Sequence, residues 1–287
     1  FKQKTAYEIG VRLVGSEMCI RDRMGEAYGL EQALWFAPEG VVDDFSWRRS
    51  TDFAYVAEEA NAVRAAVGMM EISSFAKYTI RGSGAPDWLD HLLTCRLPVE
   101  GRMTLAPMLN HAGKLIGDFS LANLGDGEYF IAGSGVAENY HMRWFTQNLP
   151  EDGSVEITAR GAGLVGLSIA GPKSRELLQR LVDEDVGKQA FRFLDIRKLE
   201  VGMAPCLVGR VSFTGDLGYE IWMEPEFQRY VFDLIQSQGK DLGLCLFGSR
   251  ALNSLRVEKN FGSWAREYRP VYGPYEAGMG RFVALKK

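Results

Sequence analysis

Two carboxylic acids of the sequence lie in apolar runs, where an acid needs a partner. Asp118 stands in "HAGKLIGDFSLANL" (111–124), with apolar residues on both sides. Glu220 follows the turn-like stretch "FTGDLGY" and precedes the apolar "IWM". An acid in a partly dry site can accept a proton or stabilise developing charge. Both acids are therefore candidates for chemistry, and a structural ion pair is the alternative for each.

Two arginines lie six residues apart in "GSRALNSLRVEKN" (248–260), a stretch with helical spacing. At about 100° per residue, Arg250 and Arg256 are separated by about 120° around the helix, so they do not share a face. A guanidinium can hold an anionic or planar part of a ligand through several N–H donors. One arginine can face a ligand while the other pairs with an acid, and an ion pair remains the alternative for both.

Composition limits the class of protein. The 287 residues allow a large core and two domains, and 46% hydrophobic and 24% charged residues are typical of a globular protein. The net charge of −4 and the lack of a basic block argue against a nucleic-acid partner. No apolar run reaches the length of a membrane span, so no membrane partner is expected.

The cysteines and histidines are scattered and predict no metal site. The cysteines have no CxxC spacing, which favours isolated thiols in a reducing compartment. A solvated loop position is the default for the histidine nearest Asp118, His111. The residues concerned are Cys19, Cys95, Cys206, Cys245, His91, His111 and His141.

The first 23 residues do not fit the rest of the chain. The stretch "VGSEMCIRDR" (14–23) has no clear period and resembles a translated sequencing adapter, so residues 1–23 are predicted to be a non-native segment. A short natural helix is the alternative. The apolar core is too short for a secretory signal, and acids interrupt it.

The apolar pattern predicts an α+β fold. Helical spacing covers 52–71, and residues 77–160 have an order close to β-α-β-β-α-β, a ferredoxin-like unit. A second α+β unit follows, with one long strand over 197–213 and helices over 226–239 and 248–260.

Three glycines match the letters of a dinucleotide-binding loop. The GxGxxG mechanism needs a helix that opens on the loop and points at a pyrophosphate. Here Gly161, Gly163 and Gly166 lead into "LVGLSIAG" (164–171), whose pattern is typical of a strand. Pro172 stops any helix begun at Gly163. Glycine-assisted packing of a strand is therefore the prediction, rather than nucleotide binding.

Five segments, in order, resemble those of the aminomethyltransferase family, the glycine-cleavage T-protein fold. They are "NHAGKLIGDFSLANL", "GPKSRELLQRL", "VSFTGDLGYEIWM", "GSRALNSLRVEKNFGSWARE" and "GPYEAGMGRFV". Two more, "GEAYGLEQALWFAPEG" and "EISSFAKYTIRG", resemble the dimethylglycine and sarcosine dehydrogenase branch. The resemblance covers 24–285 and implies an aminomethyltransferase-type folate-binding fold: a ferredoxin-like unit, a second α+β unit, and a C-terminal small barrel missing here.

The resemblance assigns roles to single residues. Asp118 falls on the family's catalytic aspartate, and Glu220 on the glutamate that hydrogen-bonds the pterin ring. Arg250 falls on the arginine of the family's Gly-x-Arg-x-x-x-Leu-Arg-x-Glu motif, and Trp264 is expected to line the folate slot. Tyr219, next to Glu220 on a strand, is expected in the core. Asp118, Glu220 and Arg250 are expected to converge on one folate site, between the ferredoxin-like unit and 161–285.

Departures from the family weaken the assignment to a branch. Leu105 stands where the family usually has a tyrosine, and Glu71 where it has an aspartate. The chain also resembles a fragment, because neither the flavin-containing oxidase domain of that branch nor the C-terminal barrel is recognisable in it.

The implied function is tetrahydrofolate-dependent one-carbon transfer. The chain would capture an iminium carbon from an N-methylated amine, such as dimethylglycine or sarcosine, and form 5,10-methylenetetrahydrofolate. Its partners would be the amine, the folate and a flavin oxidase domain of the same parent chain, which alone would carry FAD. The implied location is the cytoplasm of a bacterium or the mitochondrial matrix of a eukaryote.

Three alternatives remain open. One is a T-protein-like aminomethyltransferase, and another is a folate-dependent demethylase. The third is a non-catalytic folate-binding or iron–sulfur-maintenance protein of the same fold. That last group carries a Lys-Gly-Cys motif near the position of "RVEKNFGS", and no cysteine follows Cys245 here.

Overall fold

A computed structural model describes residues 22–27, 30–43, 46–264 and 266–287 of the chain. Most of the segment predicted to be non-native, including Cys19, lies outside the described residues; its last two residues belong to the first described strand. The chain folds into two compact units. Unit 1 holds the residues up to Ile72 together with Val165–Arg192 and Lys198–Phe261, and unit 2 holds Ser73–Leu164, Phe193–Arg197 and Gly262–Lys287.

Unit 1 is built on a mixed sheet with strand order β10-β11-β12-β9-β3-β13. Its strands are β3 (Val67–Glu71), β9 (Val165–Ala170), β10 (Ile196–Val201), β11 (Ala204–Gly209), β12 (Gly218–Met223) and β13 (Leu244–Leu246). A hairpin of β1 (Asp22–Ala27) and β2 (Leu30–Phe36) precedes them. Four helices of the described residues complete the unit: α1 (Phe53–Ala65), α4 (Ser174–Gln179), α5 (Gln228–Gly239) and α6 (Ser249–Glu258).

The core of unit 1 is formed by apolar residues that recur at helical spacing in its helices and alternate in its strands. Helix α5 buries Val231, Phe232 and Ile235, which lie on one face at helical spacing. Strand β12 alternates, so that Tyr219, Ile221 and Met223 enter the same apolar cluster. The complete burial of Tyr219 agrees with its predicted core position.

Unit 2 is an antiparallel sheet with strand order β5-β6-β7-β4-β8. Its elements are β4 (Ala76–Arg81), α2 (Ala85–Leu92), β5 (Arg102–Leu109), β6 (Leu115–Gly125), β7 (Glu128–Gly133), α3 (Glu138–Gln147) and β8 (Glu156–Ala159). The order β6-β7-β4-β8 with its two helices is that of the predicted ferredoxin-like unit. The observed order is only close to β-α-β-β-α-β, because it has one strand more: the stretch "RMTLAPMLN" (102–110), whose pattern predicts a strand, is β5, which pairs with β6 and adds an edge strand to the sheet.

Two predicted elements of unit 1 are wrong in extent. The helix predicted over 52–71 ends at Ala65, and Val67–Glu71 is a strand between β9 and β13. A strand buried on both faces is apolar throughout, which a helical period imitates over a few residues. The long strand predicted over 197–213 is the hairpin β10–β11, because Gly202, with φ +62°, makes the turn between its halves.

The glycine-rich stretch packs as a strand, as predicted. Gly161–Gly163 form a short 3₁₀ turn, and Gly166 lies within β9 opposite Trp222 of β12. A Cβ on Gly166 would lie 2.4 Å from the Trp222 ring, so glycine is needed there to seat the indole. Along the described part of the chain, no helix combines the length and apolarity of a bilayer span.

Gly166→Ala should destabilise the protein because the new methyl group forces the Trp222 ring out of its place. The expected loss is about 1–3 kcal/mol in the free energy of unfolding, the scale of an overpacked core. The matched control is Gly163→Ala of the same motif, where an added Cβ meets nothing within 4 Å. Urea unfolding of both variants measures the difference, and equal stabilities would contradict the packing role of Gly166.

Candidate functional site

Glu220 lies on β12 with its side chain on the face opposite to the core of unit 1. The alternation of the strand puts Tyr219 and Ile221 in the core and Glu220 with Trp222 on the other face. The carboxyl group is half-buried, and burial raises its pKa to about 7, although a hydrogen bond from the Trp222 side chain opposes that rise. Among the described residues no cation pairs with Glu220. The group can therefore hold or release a proton near neutral pH.

Asp118 lies in the middle of β6, opposite Pro107 of the edge strand β5. It is half-buried between the fully buried Ile116 and Phe119. Burial raises its pKa to about 8, and only its own backbone N–H opposes the rise by hydrogen bonding to the carboxylate. In the described part of the chain no cation neutralises it. Asp118 therefore carries the desolvation cost of a buried acid without a structural ion pair.

A cluster of aromatic rings supports the strand that carries Asp118. The Phe119 ring contacts His141 at a centroid distance of 4.7 Å. Gly117 and Gly133 leave room for it, since a Cβ on either would lie under 3 Å from the Phe119 ring. The Nε2–H of His141 donates to the carbonyl of Ile116 at 2.9 Å, and burial lowers the pKa of this histidine to about 4. His141 is thus neutral at physiological pH and fixes the backbone two residues before Asp118.

Trp264 belongs to the same unit as Asp118. The centroid of its ring lies 5.5 Å from the ring centroid of His141 and 5.5 Å from that of Tyr140. Its indole nitrogen is buried, and no described residue accepts a hydrogen bond from it. Tyr268 forms a β-bridge with Trp264. Burial raises the pKa of the Tyr268 phenol and the charge of Asp118 adds to the rise, so Trp264 and Asp118 share one neighbourhood through Tyr268.

Arg250 lies in the first turn of α6 and forms an ion pair within unit 1. Its Nη1 donates to Oδ2 of Asp52 at 2.6 Å. Burial would raise the pKa of Asp52, but hydrogen bonds from Ser50 and Arg250 outweigh it and the pKa falls. The ion-pair alternative is therefore realised at Arg250, whose side chain remains 37% exposed with further N–H donors available.

Glu59 fixes the start of the helix that carries Arg250. Its carboxylate accepts the backbone N–H of Phe36 at 2.6 Å and that of Gly248 at 2.8 Å. Burial raises the pKa of Glu59 to about 7, while these two hydrogen bonds oppose the rise. Gly248 is required by space, since a Cβ there would lie 2.2 Å from the carbonyl oxygen of Leu34.

The second arginine of the helix has a structural environment. Arg256 is buried and donates to the side chain of Asn253 and to the carbonyl of Phe261 at 2.9 Å. It therefore holds the end of α6 to the segment that follows. As the angular separation predicted, Arg250 and Arg256 serve different faces of the helix.

The candidate residues fall into two groups. Asp118 and Trp264 lie in unit 2, and Glu220 and Arg250 lie in unit 1. No hydrogen bond or ion pair of the described residues joins Glu220 to Arg250, whose acid partner is Asp52. The convergence of all four on one ligand stays a prediction.

Sequence reasoning missed three residues of these surroundings, namely His141, Tyr268 and Glu59. His141 sits in a helix whose apolar spacing gives it no distinction, and Tyr268 lies outside any predicted element. The inward position of Glu59 was a usable signal, because it is on the same buried stripe as Ala60 and Val63.

The fold and the candidate residues define a protein of the aminomethyltransferase class. A family model described as the GCVT N-terminal domain matches residues 21–287, and the chain belongs to this family. The crystal structure of the glycine cleavage system aminomethyltransferase T from Bartonella henselae has the same fold, with a TM-score of 0.78 at 17% identity, covering 97% of this chain and 68% of that one. The family is one of folate-dependent enzymes, and its members bind tetrahydrofolate.

The curated relatives include a dehydrogenase and an aminomethyltransferase. Mitochondrial dimethylglycine dehydrogenase of Rattus norvegicus is 34% identical over 267 residues, covering 92% of this chain and 31% of its own. An aminomethyltransferase of Caldanaerobacter subterraneus is 30% identical over 250 residues, covering 86% of this chain and 66% of its own. The chain thus spans about a third of the dehydrogenase and about two thirds of the aminomethyltransferase.

Asp118→Asn should stabilise the fold increasingly as the pH rises from about 4 to about 8. An unfolded aspartate loses its proton near pH 4, whereas the folded carboxyl group keeps it until its pKa of about 8. The folded state therefore binds more protons in this interval, and the wild type loses stability with rising pH while the asparagine variant avoids the loss. Urea unfolding from pH 4.5 to 9 measures the gap, with the exposed Asp87→Asn as control. A constant gap between Asp118→Asn and wild type would contradict the burial of the carboxylate.

Proposed function

We propose that this chain binds a reduced folate through Glu220, Arg250 and Trp264, with Asp118 as the catalytic group, and takes up a one-carbon unit from an N-methylated amine such as dimethylglycine or sarcosine. Membership of a folate-dependent family supports the folate. The 34% identity to dimethylglycine dehydrogenase supports the class of amine.

The observation that carries the proposal is the state of the two carboxyl groups. Glu220 and Asp118 are half-buried with raised pKa values, and no described cation pairs with either. The structural acids Asp52 and Asp195, by contrast, pair with Arg250 and Arg102. A buried acid without a counter-charge costs stability, and a ligand that donates hydrogen bonds or protons to it offsets that cost when bound.

The residues present fit a reduced folate. The amino group and ring N–H of a pterin form a pair of neighbouring donors, which one carboxylate can accept in a bidentate arrangement. Glu220 is such an acceptor, and it already receives a hydrogen bond from the Trp222 side chain. Trp264 adds a flat ring and a buried indole N–H that lacks an acceptor among the described residues. Arg250 retains donors beyond the one given to Asp52 and is suited to a planar or anionic part of the ligand.

Bound tetrahydrofolate supplies two nitrogen nucleophiles, N5 and N10, to the carbon that is transferred. Asp118 acts as the protonic group of the site, because a pKa of about 8 lets its carboxyl accept or return a proton near neutral pH. As a carboxylate in a partly dry place, it also stabilises positive charge more strongly than it would in water. Glu220 and Arg250 anchor the ligand, and a fixed orientation of the ligand supplies part of the rate.

The partner we propose is a flavin-containing amine-oxidising part of the same parent protein, which produces the iminium carbon. The share of the dehydrogenase that this chain spans, 31%, supports such a parent. The location follows that of the parent, the mitochondrial matrix or a bacterial cytoplasm. The second candidate is a T-protein-like aminomethyltransferase, supported by the 30% identity to the Caldanaerobacter enzyme. Parallel assays with dimethylglycine plus its oxidase and with an aminomethyl-lipoyl donor distinguish the two.

Titration calorimetry of the chain with tetrahydrofolate tests the binding. Glu220→Gln should weaken the affinity by roughly 100-fold, because the amide removes the charge and places an N–H₂ against the donors of the ligand. The matched control is Glu226→Gln, an exposed glutamate that follows the same strand. Absence of binding by the wild type would overturn the proposed function, and equal affinity of the two variants would overturn the role of Glu220.

Asp118→Asn should leave folate binding in place but slow the transfer by roughly 100-fold or more, the scale of a lost acid–base group. In the parent protein, amine oxidation should continue at its normal rate, so that free formaldehyde rises as methylenetetrahydrofolate falls. Both products are followed together during turnover. An unchanged product ratio would show that Asp118 does not direct the one-carbon unit.

A further inference from the structure

We propose that Trp222 is a positioning residue for Glu220: its indole N–H holds the carboxylate in the orientation in which it accepts the donors of a folate. The inference rests on the proposed folate site and deepens it by naming the group that presets the recognition carboxylate. It gives a buried aromatic residue of β12 a role in ligand affinity.

The first support is the geometry of the strand. Residues two apart on a strand point to the same face, so Trp222 and Glu220 leave β12 side by side. The three residues that alternate with them, Tyr219, Ile221 and Met223, lie in the core cluster, from which Glu220 and Trp222 are absent. The indole is only 2% exposed, and it is buried on the face that carries Glu220 rather than in that cluster.

The second support is the tight packing of the Trp222 indole ring. The ring lies over Gly166 of the neighbouring strand, and the nearest ring carbon would be 2.4 Å from a Cβ at that position. A side-chain carbon of Ile72 would lie 2.9 Å from the same Cβ. A ring so confined has one orientation, and its only polar atom, the N–H, is donated to Glu220.

The third support is the lack of a charged neighbour across the sheet that could orient the carboxylate. Across the sheet Glu220 faces Ser168 of β9 and Gly209 of β11, and neither carries a charge. The Trp222 side chain is the only described group whose interaction lowers the pKa of Glu220 against the effect of burial. The ionised form, which a bidentate acceptor needs, therefore depends on this donor.

Trp222→Phe tests the inference because it keeps an aromatic ring over Gly166 and removes the N–H. We expect the affinity for tetrahydrofolate at pH 7 to fall about tenfold, as for one lost hydrogen bond to a charged group. The pH below which binding weakens should rise, since Glu220 now takes up its proton at higher pH. Tyr219→Phe is the matched control: it removes a hydroxyl from the core face of the same strand, to which Arg175 donates at 3.3 Å.

A second measurement does not need the ligand. In ¹⁵N spectra of the wild type, one of the indole N–H signals of the six tryptophans should shift with an apparent pKa near 7, and Glu220→Gln should abolish that titration. No titrating indole signal, or a Trp222→Phe variant with the affinity and pH profile of the wild type, would overturn the inference. A wild type that binds no folate but shows the titrating indole would overturn the proposed function alone.

Discussion

The alternation of side chains along β12 is the constraint on which the candidate site depends. Tyr219, Ile221 and Met223 are fixed in the core of unit 1, and this fixes Glu220 and Trp222 on the other face. A shift of the strand by one residue would bury the carboxylate in the core and remove three large apolar side chains from it, so the register is strongly specified. The same apolar contacts that stabilise the sheet therefore determine where the carboxyl group of Glu220 lies.

The acids of the chain divide by their partners. Asp52 and Asp195 have arginine partners and act as structural anchors. Glu59 has no arginine partner in its described contacts. It accepts hydrogen bonds from two backbone N–H groups and thereby fixes the start of α6. Asp118 and Glu220 have no arginine partner among the described residues, and each accepts a hydrogen bond from a single N–H group. Their raised pKa values reflect the free-energy cost of burying the charged form. This cost is the reason for proposing that the proton affinity of these two acids serves a ligand.

Local patterns predicted the elements that carry the candidate residues. The turn and apolar run around Asp118 have the period of a strand, and the helix of Arg250 begins at Ser249, one residue after the predicted start. Contacts distant in sequence could not be predicted. Arg250 forms an ion pair with Asp52, which is 198 positions away in the sequence. His141 donates a hydrogen bond to the carbonyl of Ile116, and no local sequence pattern specifies that contact. The extra edge strand β5 was visible as a strand, but its place in the sheet depends on pairing.

The bonds of Glu59 have a consequence for the order in which the chain folds during synthesis. One carboxylate oxygen accepts the N–H of Phe36, close behind it, but the other accepts Gly248, which is translated 189 residues later. Until Gly248 has left the ribosome, helix α6, which begins at Ser249, cannot be fixed by the carboxylate of Glu59. The unbroken stretch Ser73–Leu164 of unit 2 emerges complete in the meantime. Domains commonly fold as their residues become available, so the five-stranded sheet of unit 2 has all its strands before α6 of unit 1 is synthesised.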